Sequence, residues 1–330
     1  MSEPALTSAE KTVDLPVSPD EAFALVTEPE RLRRWKTVSA RVDLRAGGEY
    51  RFTVTPGNVA AGTYREIEPG RRIVFGWGWE GSDELPPDAS TVTITFEPIE
   101  GGTRLRLVHD GLTPAQAEAH GYGWSHFLGR LATLTDTGET EPDEWSAVPQ
   151  PMTALNCAEV GVTLAQRLLS RVDTVQLALP TPCPDYTVGE LAEHLTSSMV
   201  MMANAAGAGL EAPTGGTPET RFADAAQVAF EAWRTRGGDG TVTWGRAEVP
   251  AARAEAILAV EMLVHTWDLA QATGQALPVS DEVSEHVLGL AREVISPRAR
   301  ERGSYGAEVR IGADAPALAR LIAFSGRAAA

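Results

Sequence analysis

Lysine is almost missing from this chain of 330 residues: Lys11 and Lys36 are the only two among 28 basic residues. Schiff-base chemistry is therefore excluded from the second half, which has no side-chain amine. Cysteine is equally scarce. Cys157 and Cys183 are too few for a disulfide framework and fit a reducing compartment, although they could sit near one another. No apolar run approaches the ~18 residues of a membrane span, and the opening MSEPALTSAEK lacks a basic-then-apolar targeting pattern. These absences point to the cytoplasm. Positive charge is also in deficit, with a net charge of -17, which argues against nucleic acid and anionic membranes as partners because both need a basic footprint. A small-molecule ligand or substrate is the expected partner, and a homodimer stays open.

What is present reads as two domains of an α+β protein, the length exceeding one compact domain and the 43% hydrophobic content sufficing for two cores. SPDEAFALVTEPERLRRW, residues 18–35, begins with a Ser/Pro/Asp start signal and predicts a short helix. Alternating runs follow, broken by turn signals such as EPGR and EGGT, and predict antiparallel strands; a long helix over about 113–134 closes the segment. Helix, meander and long helix is the order of a sheet wrapped around a helix, with an apolar-walled cavity between them. Trp35, Phe52, Phe75, Trp77, Trp79, Trp124 and Phe127 are candidates for that wall. Phe75, Trp77 and Trp79 share one strand face, which is either core or ligand wall. His109, His120 and His126 are scattered and read as incidental, and no nucleophile–base pair is evident here.

The first domain is expected over 1–138, an acidic, Pro-bearing linker over 139–151, and a second domain over 152–330. Helical periodicity runs over about 152–173, 187–206, 217–236, 250–273, 281–295 and 314–325, predicting an all-α four-helix bundle with a short C-terminal appendage. Thr187 and Glu190 have capping-box spacing at the start of the second helix.

The stretch AVEMLVHTWDLAQATG, residues 259–274, is apolar almost all round yet carries Glu261 and His265 one turn apart. At i and i+4 both can aim at one point, and His194 on another helix lies in a core-facing stripe with Leu191, Leu195 and Ser198. Two imidazoles and one carboxylate make three ligands with a fourth position open, the pattern of catalytic zinc. Spacing alone leaves a buried ion pair as the other reading. Asp268 is a candidate acceptor for the second ring nitrogen of His265 and the only nearby carboxylate for a catalytic role. Trp267 reads as packing, and His286 as surface.

TPCPDYTVGELAEHL (181–195) together with the Glu261-x-x-x-His265-x-Trp267-Asp268 helix resembles the DinB-like, mycothiol-dependent maleylpyruvate isomerase N-terminal superfamily, in its actinobacterial metal-binding branch, over about 152–327. Its metal triad carries over to His194, Glu261 and His265. The branch often has Trp where this chain has Tyr186, and only AEVRIGADAPALARLIAFSGR stands where the full isomerases carry a further C-terminal domain. The resemblance implies a divalent metal, most simply zinc, with a low-molecular-weight thiol such as mycothiol, and a transferase or isomerase acting on a small electrophile. It also implies a structural Pro-Cys-Pro turn at Cys183, a fourth ligand being the other reading. A non-enzymatic binding or stress-response module with a structural metal, and thiol-free hydrolysis by metal-bound water, are the competing functions.

RVDLRAGGEYRFTV, GTYREIEPGRRIVFGWGWE and GGTRLRLVHDGL, with the later GYGWSHFLGRL, resemble the SRPBCC (START/Bet v 1-like) superfamily over about 11–134, in the branch named for the activator of the Hsp-90 ATPase. This implies a helix-grip fold. Members range from ligand binders to cyclases and co-chaperone-like proteins, so the fold alone does not give the function.

Overall fold

A computed structural model describes residues 6–244 and 247–328; the first five residues of the stretch read for targeting lie outside it. The chain divides into two compact units, Met1–Glu141 and Pro142–Ala330.

The first unit runs β1 (Thr7–Leu15), α1 (Pro19–Thr27), α2 (Pro29–Leu32), β2 (Ser39–Val42), β3 (Glu49–Thr55), β4 (Asn58–Glu68), β5 (Arg72–Trp79), β6 (Ser90–Ile99), β7 (Gly102–Leu112) and α3 (Pro114–Thr137). Its seven strands form one antiparallel sheet in the order β1-β7-β6-β5-β4-β3-β2, the helix-grip arrangement. The helix expected over 18–35 is two helices. Glu28 precedes Pro29 and is extended (φ -86°, ψ 125°), because a proline ring pushes the preceding residue out of the helical region. Strand β1 was not anticipated: only Ala9 and Leu15 of TSAEKTVDL are buried, which leaves little hydrophobic alternation to read. The EPGR and EGGT turns hold Gly70 and Gly101 at φ +65° and +81°, a region open to glycine without penalty.

Helix α3 opens with a capping box between Thr113 and Gln116. It buries Trp124, Phe127, Leu128 and Leu131, each contributing roughly 1.5–3 kcal/mol of burial. Between α1, α2 and α3 on one side and the strands on the other lies a narrow cavity, reached by Val26, Leu32, Leu128, Phe75 and Leu107 among others. Thr140 donates to the carbonyl of Arg34, and Arg130 donates to Thr140 and to the carbonyl of Glu141, so the start of the expected linker belongs to this unit.

The second unit contains α4 (Ala154–Leu169), α5 (Val188–Ala205), α6 (Pro218–Arg236), β8 (Thr241–Trp244), β9 (Ala247–Pro250), α7 (Ala251–Thr273), α8 (Asp281–Val294), α9 (Pro297–Glu301) and α10 (Ala317–Ser325). The long helices pair α4 with α7 and α5 with α6, and cross-contacts join α4 to α6 and α5 to α7. Helix α8 packs on α7 and α10. The unit is helical but not all-α: β8 and β9 form a hairpin, and strands of four residues are too short for a period of two to stand out from a loop. Gly161 lets α4 approach α7 closely, since a Cβ there would lie 2.9 Å from Cβ of Met262. His286 is half-buried with its Nε2 covered, not the surface residue expected, because α8 is covered on more than one side. Among the described residues no helix is long and apolar enough to cross a membrane.

Candidate functional site

The capping box expected at Thr187 is formed: Thr187 N–H donates to Glu190 Oε2 at 2.8 Å and Glu190 N–H to Thr187 Oγ1 at 3.3 Å. It sets the start of α5 and thereby the angular position of His194 two turns on. Ser198 follows on the same face. On α7, Glu261 and His265 project from successive turns toward this face.

The three side chains meet. His194 Nε2 is 3.0 Å from Glu261 Oε1, and the His194 and His265 rings stand 5.0 Å apart at 83°. One ligand atom from each of His194, Glu261 and His265 lies within 4.8 Å of the others. Ser198 donates its hydroxyl hydrogen to Glu261 Oε1. Tyr186 stacks on the His194 ring at 4.8 Å and 19°, with its hydroxyl 3.3 Å from Nδ1. Burial works against the charge on Glu261, but the bond from His194, the charge of His265 and the bond from Ser198 outweigh it and hold the carboxyl below its ordinary range.

Asp268 lies behind His265. Its Oδ2 is 3.0 Å from His265 Nδ1, and Arg327, from the C-terminal segment, donates Nη2–H to the same oxygen at 2.9 Å and Nε–H to Oδ1 at 3.2 Å. Asp268 is wholly inaccessible and Arg327 nearly so; each charge is tolerable because the other neutralises it. An acceptor on Nδ1 fixes the tautomer and leaves Nε2 as the lone-pair donor. Cys183 forms a second grouping with His265 and Asp268. Both cysteines are free, and burial pushes the Cys183 thiol up. Burial also raises the Tyr305 phenol, with the Glu261 charge adding to the effect, which puts Tyr305 in the electrostatic field of the site.

Ser198 was legible in principle, four residues after His194 on its stripe. Arg327 and Tyr305 were not: they lie 59 and 37 residues after Asp268, just beyond the ends of α10 and α9, where no helical spacing places them.

In the sheet unit, Trp35, Phe75 and Trp124 line the cavity together with Phe52. Three of the expected wall residues, Trp77, Trp79 and Phe127, are not among the lining residues. Trp77 packs against the lining residues Trp124 and Phe75, with ring centroids 5.1 and 6.4 Å apart, and lies 4.9 Å from Lys36 Nζ, while Trp79 donates its indole N–H to His120 Nε2 at 3.2 Å. The expectation of no nucleophile–base pair is corrected by contact, though not by chemistry. Ser90 Oγ is 2.8 Å from His109 Nε2. Trp124 donates to His109 Nδ1 at 3.1 Å, so Nε2 carries the proton and donates to Ser90, whose hydroxyl is spent on the carbonyl of Trp77. A histidine donating to a serine cannot take its proton. Burial is the main cause that pulls His109 down to about 3, with His120 and Lys36 adding to it.

Residues 16–136 match the family described as Activator of Hsp90 ATPase homolog 1-like protein, and residues 158–270 the mycothiol maleylpyruvate isomerase N-terminal domain. The chain is 32% identical over 165 residues to the uncharacterized protein Rv0738 of Mycobacterium tuberculosis, covering 48% of this chain and 90% of that protein. It is 26% identical over 110 residues to the human activator of 90 kDa heat shock protein ATPase homolog 1, covering 33% of this chain and 31% of the human protein. Among solved structures, an AHSA1-like protein from Rhizobium etli is 35% identical, with 46% of this chain and 91% of that chain covered and a TM-score of 0.37.

Proposed function

This chain joins a domain of the Activator of Hsp90 ATPase homolog 1-like family to a mycothiol maleylpyruvate isomerase N-terminal domain, and from that premise we propose that its helical unit serves a thiol-dependent transferase or isomerase acting on a small electrophile. His194, Glu261 and His265 would hold a divalent ion of the zinc type. The donor set fits: two imidazole nitrogens and a carboxylate oxygen, mutually within 4.8 Å, match the three-ligand pattern of catalytic zinc. Bound there, the metal supplies a position at which a low-molecular-weight thiol such as mycothiol is a thiolate at neutral pH. The two free cysteines suit a reducing cytoplasmic setting.

The chain's own groups do the rest. Asp268 and Arg327 hold His265 in one tautomer, Ser198 holds Glu261, and Tyr186 orients His194 by stacking. With both oxygens engaged, Asp268 acts as a positioning residue and not as the catalytic carboxylate considered from the sequence. The observation that carries the reading is the Asp268–His265 bond at 3.0 Å, which leaves Nε2 free on the ring facing His194 and Glu261. The competing reading, a structural metal in a binding module, needs a protein group in the fourth position. Cys183 is the candidate, but it shares only His265 with the triad, and its other neighbour Asp268 is held by Arg327. The sheet unit, with its cavity, would bind an apolar ligand.

Elemental analysis of the purified protein and of His265→Ala tests the metal, and thiol titration of the cobalt-substituted protein tests the open position. Near-stoichiometric metal that is lost in the variant, with a spectrum that shifts on adding thiol, is expected. Metal-free wild type from a chelator-free preparation would sink the site and leave Glu261 with His194 as a buried ion pair.

A further inference from the structure

Behind the first triad a second set of metal-ligating side chains converges on the same imidazole. One ligand atom from each of Cys183, His265 and Asp268 lies within 4.8 Å of the others. All three are sequestered: Cys183 is 8% exposed, Asp268 is inaccessible, and the His265 side chain is 12% exposed. Asp268 Oδ2 and His265 Nδ1 stand 3.0 Å apart, close to the about 3.3 Å that separates two ligands of one tetrahedral ion. The loop that carries the sulfur is tied in place. The Thr181 hydroxyl is shared between the carbonyls of Cys183 and Tyr186 at 2.9 and 2.8 Å, and Tyr186 N–H donates to the carbonyl of Cys183 at 3.2 Å.

A cation already stands at this place. Arg327 donates to Asp268 through Nη2 at 2.9 Å and Nε at 3.2 Å, and its charge reaches the Cys183 sulfur as well, opposing the burial that pushes the thiol up. A divalent ion would take over that role: with one thiolate, one carboxylate and a neutral imidazole the charges sum to zero, as a buried site requires. Arg327 lies two residues past the end of α10, so its withdrawal unwinds no helix. The donor set also sorts ions, because sulfur and imidazole suit the zinc class, whereas magnesium and calcium take oxygen.

We propose that Cys183, His265 Nδ1 and Asp268 form a second position for a thiophilic divalent ion of the zinc class, one that displaces Arg327 and competes with the first triad for the His265 ring. On binding, the Cys183 thiol releases its proton to solvent, and the Nδ1 proton passes to Nε2, the atom the first triad needs bare. A neutral imidazole offers one lone pair, so filling one position weakens the other, by the same factor in both directions. The second position stands on its own geometry, while the antagonism rests on reading the first triad as a metal site.

The test is cadmium titration of the full chain, read by sulfur-to-cadmium charge-transfer absorption, in wild type, Glu261→Gln, Cys183→Ser, Cys157→Ser and Arg327→Met. The band should appear in the wild type, persist in Cys157→Ser and vanish in Cys183→Ser. Glu261→Gln, which cripples the first triad, should bind cadmium at least about five-fold more tightly at this position than zinc-loaded wild type, the low end of usual coupling between sites. Arg327→Met should also bind it more tightly than wild type, since the resident cation is gone; damage to the fold alone would have the opposite sign. A band lost in Glu261→Gln would make Cys183 the fourth ligand of the first triad and overturn the proposal, as would a band that survives in Cys183→Ser or is absent from every form. Equal affinity in Glu261→Gln and zinc-loaded wild type would overturn the antagonism. Zinc-free wild type that still shows the Cys183 band would sink the first triad and leave the second position standing.

Discussion

His265 and Asp268 are joined through Nδ1 and Oδ2 at 3.0 Å, three residues apart on α7. The pair turns one ring nitrogen away from the site and commits the other to it. Arg327 grips the same carboxylate from a segment 59 residues further on, so the orientation of a residue on α7 depends on the end of the chain.

Asp268→Asn keeps the shape and removes the charge. Metal affinity should fall about ten- to a hundred-fold, the usual cost of losing such an outer partner, as read by competition with a chromophoric chelator. The variant should also unfold at lower temperature, because Arg327 is left as a buried charge without its counter-ion. Adding Arg327→Met should restore thermal stability but not metal affinity. Restoration of both would mean that Asp268 acts on the site only through the fold.

Gly161→Ala should cost about 1–3 kcal/mol by overpacking. The new methyl would sit 2.9 Å from Cβ of Met262 and 3.3 Å from the backbone nitrogen of Leu263, and α7 cannot yield there without shifting Glu261 one residue earlier in the turn. Urea unfolding measures the loss, and an unchanged midpoint would mean that the two helices slide apart freely.

Lys36 should make stability rise with pH. Its amine is held at about 7 in the fold against an ordinary 10.5, so between these values the unfolded chain binds a proton that the folded one does not. The cost is fully present below about 7 and is relieved as pH climbs toward 10.5, by up to about 1.4 kcal/mol per pH unit. Denaturant unfolding at pH 7 and pH 9 should show the wild type gaining stability relative to Lys36→Met. Parallel pH profiles of the two proteins would remove Lys36 as the cause.

His109 should stay neutral across the physiological range. Its two nitrogens are committed, one accepting from Trp124 and one donating to Ser90, and the ring titrates near 3. Below about 6.5 the unfolded chain takes up a proton that the folded ring refuses, so this residue contributes to loss of stability as pH falls toward 3. Imidazole resonances followed by NMR should show no His109 shift between pH 5 and 8. A midpoint within that range would break the assigned network.

Much of the architecture was legible because it is written in local periods. Helices expected over 187–206, 217–236 and 250–273 appear as Val188–Ala205, Pro218–Arg236 and Ala251–Thr273, each having an apolar face and a definite start. The break at Glu28 was legible too, from Pro29, but was read as one helix. Strand β1 and the β8–β9 hairpin were not legible, since half-exposed or four-residue strands carry too little alternation.

The sequence by itself determined that Glu261 and His265 share a helix face, that His194 faces a core, and that two domains of different class follow one another. Backbone geometry within one element is enough for such statements, because i and i+4 coincide wherever the helix happens to pack. Only the tertiary structure decided that His194 reaches Glu261 at 3.0 Å, that Arg327 and not solvent faces Asp268, and that Lys36 lies among three rings. Each of these joins residues distant in the chain, and their meeting is fixed by how the elements pack, which no local period encodes.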